Sequence, residues 1–139
     1  MAIAGIRLKH FFFGDLSDTN YLHRRHTGGI RHIATVQTQP KYRMHAVGDD
    51  WYPGVYEVAE GGVALQGEVC ELTYEHYEYL LSNEPSDKQL LTVILDTGEE
   101  IPAMLYPYQL VEQHQWPDIS HFGSWAAYKA SQSSAPVSA

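Results

Sequence analysis

The chain has 139 residues, 44% of them hydrophobic, with 17 Asp and Glu against nine Lys and Arg and a formal net charge of −8. This length suits a single domain that buries its own core, and no apolar run approaches the ~20 residues that span a bilayer. A negative charge argues against general nucleic-acid binding, because contacts to phosphates dominate that affinity. We therefore expect a domain over residues 1–130, a disordered tail over residues 131–139, and no nucleic-acid or membrane partner.

The first half of the chain predicts short strands around one helix. Aromatic residues fill the first strand, which stops at Gly14, and turn-forming residues lead into a helix that ends at His26 before two glycines. Strands follow on both sides of Pro40, and a glycine turn joins the last two into a pair. The predicted strands cover residues 6–13, 30–37, 42–47, 55–58 and 64–72.

The second half predicts two helices and a hairpin. The best helix covers residues 74–83 and places Tyr74, Tyr77 and Leu81 on one face. The hairpin covers residues 90–95 and 101–106, and the closing helix covers residues 122–130. Short strands with few helices and no strict βαβ alternation indicate an α+β fold, with a mixed sheet curled into a small barrel. Aromatic residues are expected to build the core: Phe11, Phe13, Tyr77, Trp125 and Tyr128.

Glu84 is the candidate catalytic residue. It lies three residues after Leu81 and seven after Tyr77, so a helix that continued this far would place its carboxylate on the apolar face. An apolar setting raises the pKa of a carboxyl group, which can then act as a general acid or base near neutrality. The alternative is that Pro85 ends the helix early and leaves Glu84 as a solvated loop residue.

The turn after the first strand is the candidate substrate-binding loop. Glycine at the carboxyl end of a strand lets backbone N–H groups converge on a carboxylate or an oxyanion, although many such turns only reverse the chain. The loop consists of Phe13, Gly14, Asp15, Leu16 and Ser17.

Basic residues are concentrated early in the chain. Residues 1–45 hold seven of the nine Lys and Arg and five of the eight His, but only two of the 17 Asp and Glu. This layout predicts a pocket for a small anion, in which Arg43, or Arg24 with Arg25, grips a carboxylate through paired hydrogen bonds. The alternative is that Arg43 forms an ordinary ion pair with a glutamate of a neighbouring strand. The histidines lack a convergent further ligand, so we expect no metal and no cofactor.

The single cysteine, Cys70, and the start of the chain indicate the compartment. One cysteine forms no intramolecular disulfide, and the first seven residues lack the pattern of a signal peptide. We expect a cytoplasmic protein in which Cys70, on an apolar strand, is a core thiol rather than a nucleophile.

Several stretches carry a more specific pattern, and in order and spacing they resemble the C-terminal domain of allophanate hydrolases, within the gamma-glutamyl-cyclotransferase-like superfamily. They are residues 38–47, residues 52–55, residues 61–72 and the closing D-I-S-H-F-G-S-W-A-A-Y of residues 118–128. The resemblance covers residues 8–130 and implies the cyclotransferase-like fold, a sheet curled into a barrel beside short helices. It also implies that residues 13–16 match the superfamily's substrate loop and that Glu84 matches its catalytic glutamate.

Two departures from the family pattern bear on function. Allophanate hydrolase C-terminal domains usually carry a histidine in the substrate loop, whereas this chain has Gly14, Asp15 and Leu16 there. Those domains also tend to lack the glutamate that this chain carries at position 84. No Ser-Ser-Lys amidase signature is present, so we expect no allophanate hydrolysis by that chemistry.

Two functions follow as hypotheses. The first is a small-molecule enzyme of cyclotransferase or lyase type, in which Glu84 moves a proton and the loop holds a small polar, anionic carbonyl or amide substrate. The second is a non-catalytic module related to the allophanate hydrolase C-terminal domain, which binds a metabolite or assembles with a partner. A homodimer and a separately encoded amidase are the partners left open.

Overall fold

The computed structural model describes residues 7–13, 30–82 and 86–133, where seven strands combine with three helices and confirm the α+β class. No helix in these ranges is long and apolar enough to cross a membrane. The strands are β1 (Arg7–Phe12), β2 (Ile30–Gln37), β3 (Tyr42–Val47), β4 (Tyr52–Glu57), β5 (Gln66–Thr73), β6 (Gln89–Ile94) and β7 (Glu100–Leu105). The helices are α1 (Tyr74–Ser82), α2 (Tyr108–His114) and α3 (Trp125–Ser133), with a 3-10 turn over Ser120–Phe122.

Five strands form a mixed sheet in the order β2-β5-β1-β7-β6. β1 runs antiparallel to β5 and parallel to β7, and β6 returns antiparallel to β7. Just beyond the two edge strands, Thr38 bridges Leu95, and the amide of Gln39 donates to the carbonyl of Ile94 at 2.9 Å. The sheet therefore curls until its edges meet at one end, and the expected barrel is not closed along its length.

β3 and β4 form a separate antiparallel hairpin. The predicted pairing of residues 55–58 with residues 64–72 is wrong, because β4 pairs with β3 while β5 pairs with β1 and β2. The cause lies at Gly62, where a Cβ atom would come within 2.5 Å of the carbonyl carbon of Lys41. This close approach lets the chain pass along β3 and cross to the larger sheet instead of reversing on itself.

β1 separates two layers of packing. Phe11 and Phe13 face the main core, which also receives side chains from the β3–β4 hairpin, β5, β6, β7 and α3. His10 and Phe12 face α1 on the opposite side of the sheet. The five aromatic residues expected in the core are all buried, which confirms that prediction.

The helices close the two faces of the sheet. The hydroxyl of Thr73 accepts the amide of His76 at 3.3 Å and caps α1, which buries Tyr77 and Leu80 but leaves Tyr74 exposed. The sequence pattern does not predict α2, which follows Pro107 directly. α3 begins three residues later than predicted and extends to residue 133, into the segment expected to be a disordered tail.

Candidate functional site

β1 and α1 run side by side in the same direction. α1 begins directly after Thr73, which pairs with Arg7 at the start of β1, and Tyr77 of α1 contacts His10 further along β1. Towards their ends, Phe12 packs against the cluster that contains Leu80. Because later residues of α1 meet later residues of β1, both elements end at the same end of the sheet.

Of the predicted site residues, Phe13 lies at this end. Phe13 follows β1, is 7% exposed, and places its ring 4.8 Å from that of Phe11, so its side chain is part of the main core. The rest of the predicted loop, Gly14, Asp15, Leu16 and Ser17, lies outside the described residues, as does Glu84. Their proposed roles therefore stay predictions, and the described residues on either side define the local surroundings.

A buried polar pair joins β1 to α1 below this end. His10 is 1% exposed, and its Nδ1 lies 2.8 Å from the hydroxyl of Tyr77. Burial, helped by the positive charge of Lys88, lowers the pKa of His10 to about 3, and burial also raises the pKa of Tyr77. His10 is therefore neutral at physiological pH, and the pair fixes α1 against β1 without placing a charge in the interior.

Lys88 is a positively charged residue at this end of the sheet that sequence reasoning did not single out. It immediately precedes β6, and its ammonium lies 4.5 Å from the centre of the Tyr52 ring. Tyr52 in turn lies against Tyr106, with ring centroids 6.1 Å apart, just beyond the carboxyl end of β7. Since β7 is parallel to β1, this cation lies at the same end of the sheet as Phe13. A lone lysine in a polar loop carries no pattern that could have identified it.

Arg43 belongs to a different cluster. Its guanidinium donates to Asp118 at 2.7 Å and to the carbonyl of Gly61 at 3.0 Å. Burial favours the neutral acid at Asp118, but hydrogen bonds from Ser120 and Arg43 outweigh it and lower the pKa of Asp118 to about 2. Arg43 therefore forms an ion pair, as the alternative expected, but its partner is Asp118 and not a glutamate of a neighbouring strand. Its predicted role as an anion ligand stays a prediction.

His45 extends this second cluster. Its Nδ1 lies 2.9 Å from the carbonyl of Trp116, which fixes Nδ1 as the donor, and its Nε2 lies 3.0 Å from the hydroxyl of Tyr56. The same Nε2 is 3.6 Å from Asp118. These bonds tie β3 to the segment before α3, so the cluster has a structural role in linking distant parts of the chain.

Cys70 is fully buried, and burial raises its pKa to about 11, which confirms the core thiol expected from the sequence. In residues 7–13, 30–82 and 86–133, no group of three or more His, Cys, Asp or Glu converges in a way that could hold a metal ion.

The sequence profile of the allophanate hydrolase C-terminal domain matches residues 13–130, whereas no curated protein matches significantly. Among solved structures, the chain is similar to a uropathogenic E. coli-specific protein, with a TM-score of 0.78 and 24% identity over 90% of this chain and 97% of that one. Kluyveromyces lactis allophanate hydrolase has a TM-score of 0.74 and 21% identity over 91% of this chain but 21% of that one. A gamma-glutamyl cyclotransferase has a TM-score of 0.53 and 14% identity over 73% of this chain and 68% of that one.

The structural likenesses establish the fold, which is the expected gamma-glutamyl-cyclotransferase-like fold. The chain spans about a fifth of the Kluyveromyces lactis enzyme, 21% of its length, and nearly all of the E. coli protein, 97%. The sequence profile covers most of the chain, including β2 to β7 and the first two thirds of α3. The chain belongs to the allophanate hydrolase C-terminal domain family.

Proposed function

We propose that this chain is a small-molecule enzyme whose site lies at the carboxyl end of β1. In this site the carboxylate of Glu84 moves a proton, and backbone N–H groups of residues 14–17 hold a carboxylate or a developing oxyanion. The observation that carries the proposal is the parallel course of β1 and α1, because the chain leaves both elements at the same end of the sheet. The cyclotransferase-like fold supports the proposal by analogy.

The proposed reaction is attack by an amine of the substrate on its own amide carbonyl. A new C–N bond forms while the old one breaks, and an amine leaves. Glu84 accepts the proton of the attacking amine and returns a proton to the leaving amine, so its protonation state is restored. Lys88 supports an anionic substrate, since it brings a positive charge to this end of the sheet. Arg43 is a further predicted contact, but a ligand there would have to share or replace Asp118.

The experiment uses NMR to monitor the release of amine from a panel of small gamma-glutamyl and N-carbamoyl amides. Glu84→Gln is compared with Glu75→Gln, a matched control because Glu75 is exposed in the first turn of α1. We expect the natural protein and Glu75→Gln to turn over at least one compound. Glu84→Gln should fold and be inactive, since an amide accepts no proton. Equal rates for both variants, or no turnover of any compound, would contradict the proposal.

A non-catalytic binding or assembly module is the second candidate. The likeness to Kluyveromyces lactis allophanate hydrolase favours it, because the part of that enzyme that matches this chain is only 21% of its length and so belongs to a larger protein. This function predicts that members of the same panel raise the melting temperature without being turned over, equally in the natural protein and in Glu84→Gln. A cytoplasmic location fits both functions and stays a prediction.

A further inference from the structure

The two edges of the five-stranded sheet differ in their protection against pairing with other chains. β2 has a bulge between His32 and Ala34, and glutamates of β5 form an ion pair with its Arg31 and a hydrogen bond with its His32. Bulges and charged side chains are the usual means by which an edge strand avoids a partner strand. β6, with the sequence Q-L-L-T-V-I, has no charge, no proline and a continuous register with β7. Its edge is therefore unprotected.

The ladder between β6 and β7 determines which backbone groups point outward. The amide of Leu95 donates to the carbonyl of Glu99 at 2.8 Å, which makes these residues a hydrogen-bonded pair. Since such pairs alternate along an antiparallel ladder, Leu90, Thr92 and Ile94 direct their N–H and C=O groups away from β7.

Within the part of the chain that the structure describes, only Ile94 of these three has hydrogen-bond partners for its outward backbone groups. The amide of Ile94 donates to the hydroxyl of Tyr42 at 2.9 Å, and its carbonyl accepts the amide of Gln39 at 2.9 Å. No other described residue forms a hydrogen bond with the outward N–H or C=O group of Leu90 or Thr92. Two donors and two acceptors are therefore available to a partner strand.

Apolar side chains surround this open edge. Leu90 is 46% exposed and borders a groove of about 540 Å³ between β1, α1 and β7. Leu91 is 50% exposed and borders a groove of about 660 Å³ on the opposite face of the sheet. Of the seven exposed large hydrophobic side chains among the described residues, five line these two grooves: Leu8, Tyr74, Leu90, Leu91 and Tyr108. Such a concentration marks an interaction surface.

We propose that β6 pairs antiparallel with β6 of a second copy of the chain, about a two-fold axis at Leu91. In this register Leu90 of each copy faces Thr92 of the other, and the two pairs exchange four backbone hydrogen bonds. The two Leu91 side chains face each other at the closely spaced position of the ladder. The open edge is thus complementary to itself, which favours a second copy over an unrelated strand.

The charges select the antiparallel arrangement. The chain has a net charge of −8, and its acidic β6–β7 turn carries Asp96, Glu99 and Glu100. Antiparallel pairing places the two turns at opposite ends of the interface, whereas parallel pairing would place them side by side. The remaining repulsion between copies is screened by salt, so the dimer should strengthen as ionic strength rises.

The experiment measures the molecular mass in solution, by sedimentation or light scattering, from micromolar to millimolar protein concentration. The natural protein should approach twice the 15.7 kDa of one chain. Leu91→Lys places two like charges opposite each other, and Thr92→Pro removes an outward N–H without breaking the ladder to β7, so both should be monomeric. Ile33→Lys is the matched control, because Ile33 is 43% exposed on the other edge strand, and it should stay dimeric.

Hydrogen exchange gives an independent readout. The amides of Leu90 and Thr92 should exchange slowly at high concentration and quickly after dilution, and quickly at both concentrations in Leu91→Lys. If circular dichroism shows that Thr92→Pro does not fold, the mass of Leu91→Lys and the exchange rates test the proposal without it. A natural protein that stays monomeric throughout, or a dimer that Leu91→Lys leaves intact, overturns the proposal.

Discussion

Acidification should destabilise this domain through His10. The side chain is 1% exposed, and its burial, together with the charge of Lys88, lowers the pKa from 6.5 to about 3. The unfolded chain binds a proton at His10 below about pH 6.5, whereas the folded chain does so only near pH 3. The stability that His10 contributes by staying neutral is therefore fully present above pH 6.5 and is lost as the pH falls towards 3.

The size of the effect follows from the two pKa values. The difference between 6.5 and about 3, at about 1.36 kcal/mol per pH unit, corresponds to about 5 kcal/mol in full. Roughly half of this is lost between about pH 7 and about pH 4.5. Protonation of carboxylates also destabilises folded proteins in acid, and the chain has 17 Asp and Glu residues, so the contribution of His10 must be measured as a difference between two proteins.

The assay is urea unfolding of the natural protein and of His10→Gln at a series of pH values. His10→Gln should be less stable at neutral pH, because the bond to Tyr77 and the packing around it change. Its free energy of unfolding should nevertheless fall less steeply with acidification, by roughly half of the His10 contribution between about pH 7 and about pH 4.5. Parallel profiles for the two proteins would refute the reasoning, since they would show that His10 does not resist protonation in the folded state.

Three further outcomes are expected. Phe13→Ala should destabilise the fold by about 3–5 kcal/mol in thermal melts, because the side chain is buried in the main core, and an unchanged melting temperature would contradict that packing. Arg43→Ala should raise the pKa of Asp118 from about 2 towards its ordinary value of 3.8 in an NMR titration, since a hydrogen bond to the carboxylate is lost. Cys70 should resist alkylation near neutral pH until the protein unfolds, because its buried thiol has a pKa of about 11, and rapid alkylation of the folded protein would exclude the core assignment.

Local patterns predicted the elements better than their pairing. The aromatic run of β1 and the hairpin of β6 and β7 are local features of the sequence, and both were found in the expected places. A short turn over residues 48–51 joins β3 to β4, whereas the pairing of β5 with the distant β1 and β2 has no local pattern that specifies it. α2 was missed because it buries only Val111 and therefore carries no apolar stripe.

Local patterns and the resemblance both pointed to Phe13 and Glu84, and their roles stay predictions. The polar contacts found near β1 and β3 instead join residues that are distant in the sequence. His10 and Tyr77 are 67 residues apart, and nothing in either segment indicates that the other is its partner. Arg43 and Asp118 are 75 residues apart, which is why the ion pair was expected with a nearer strand.

The position of the site at the carboxyl end of β1 is tested most directly by NMR chemical-shift mapping. The natural protein is titrated with small mono- and dicarboxylates and with gamma-glutamyl amides at millimolar concentration. We predict saturable shifts that are largest at the amides of Phe13 and Ser82, which precede the proposed loop and Glu84 in the sequence, and at Lys88, which lies at the same end of the sheet as Phe13. Saturable shifts centred instead on Arg43 and Gly61, or none at the end of β1 with any compound, would contradict this position for the site.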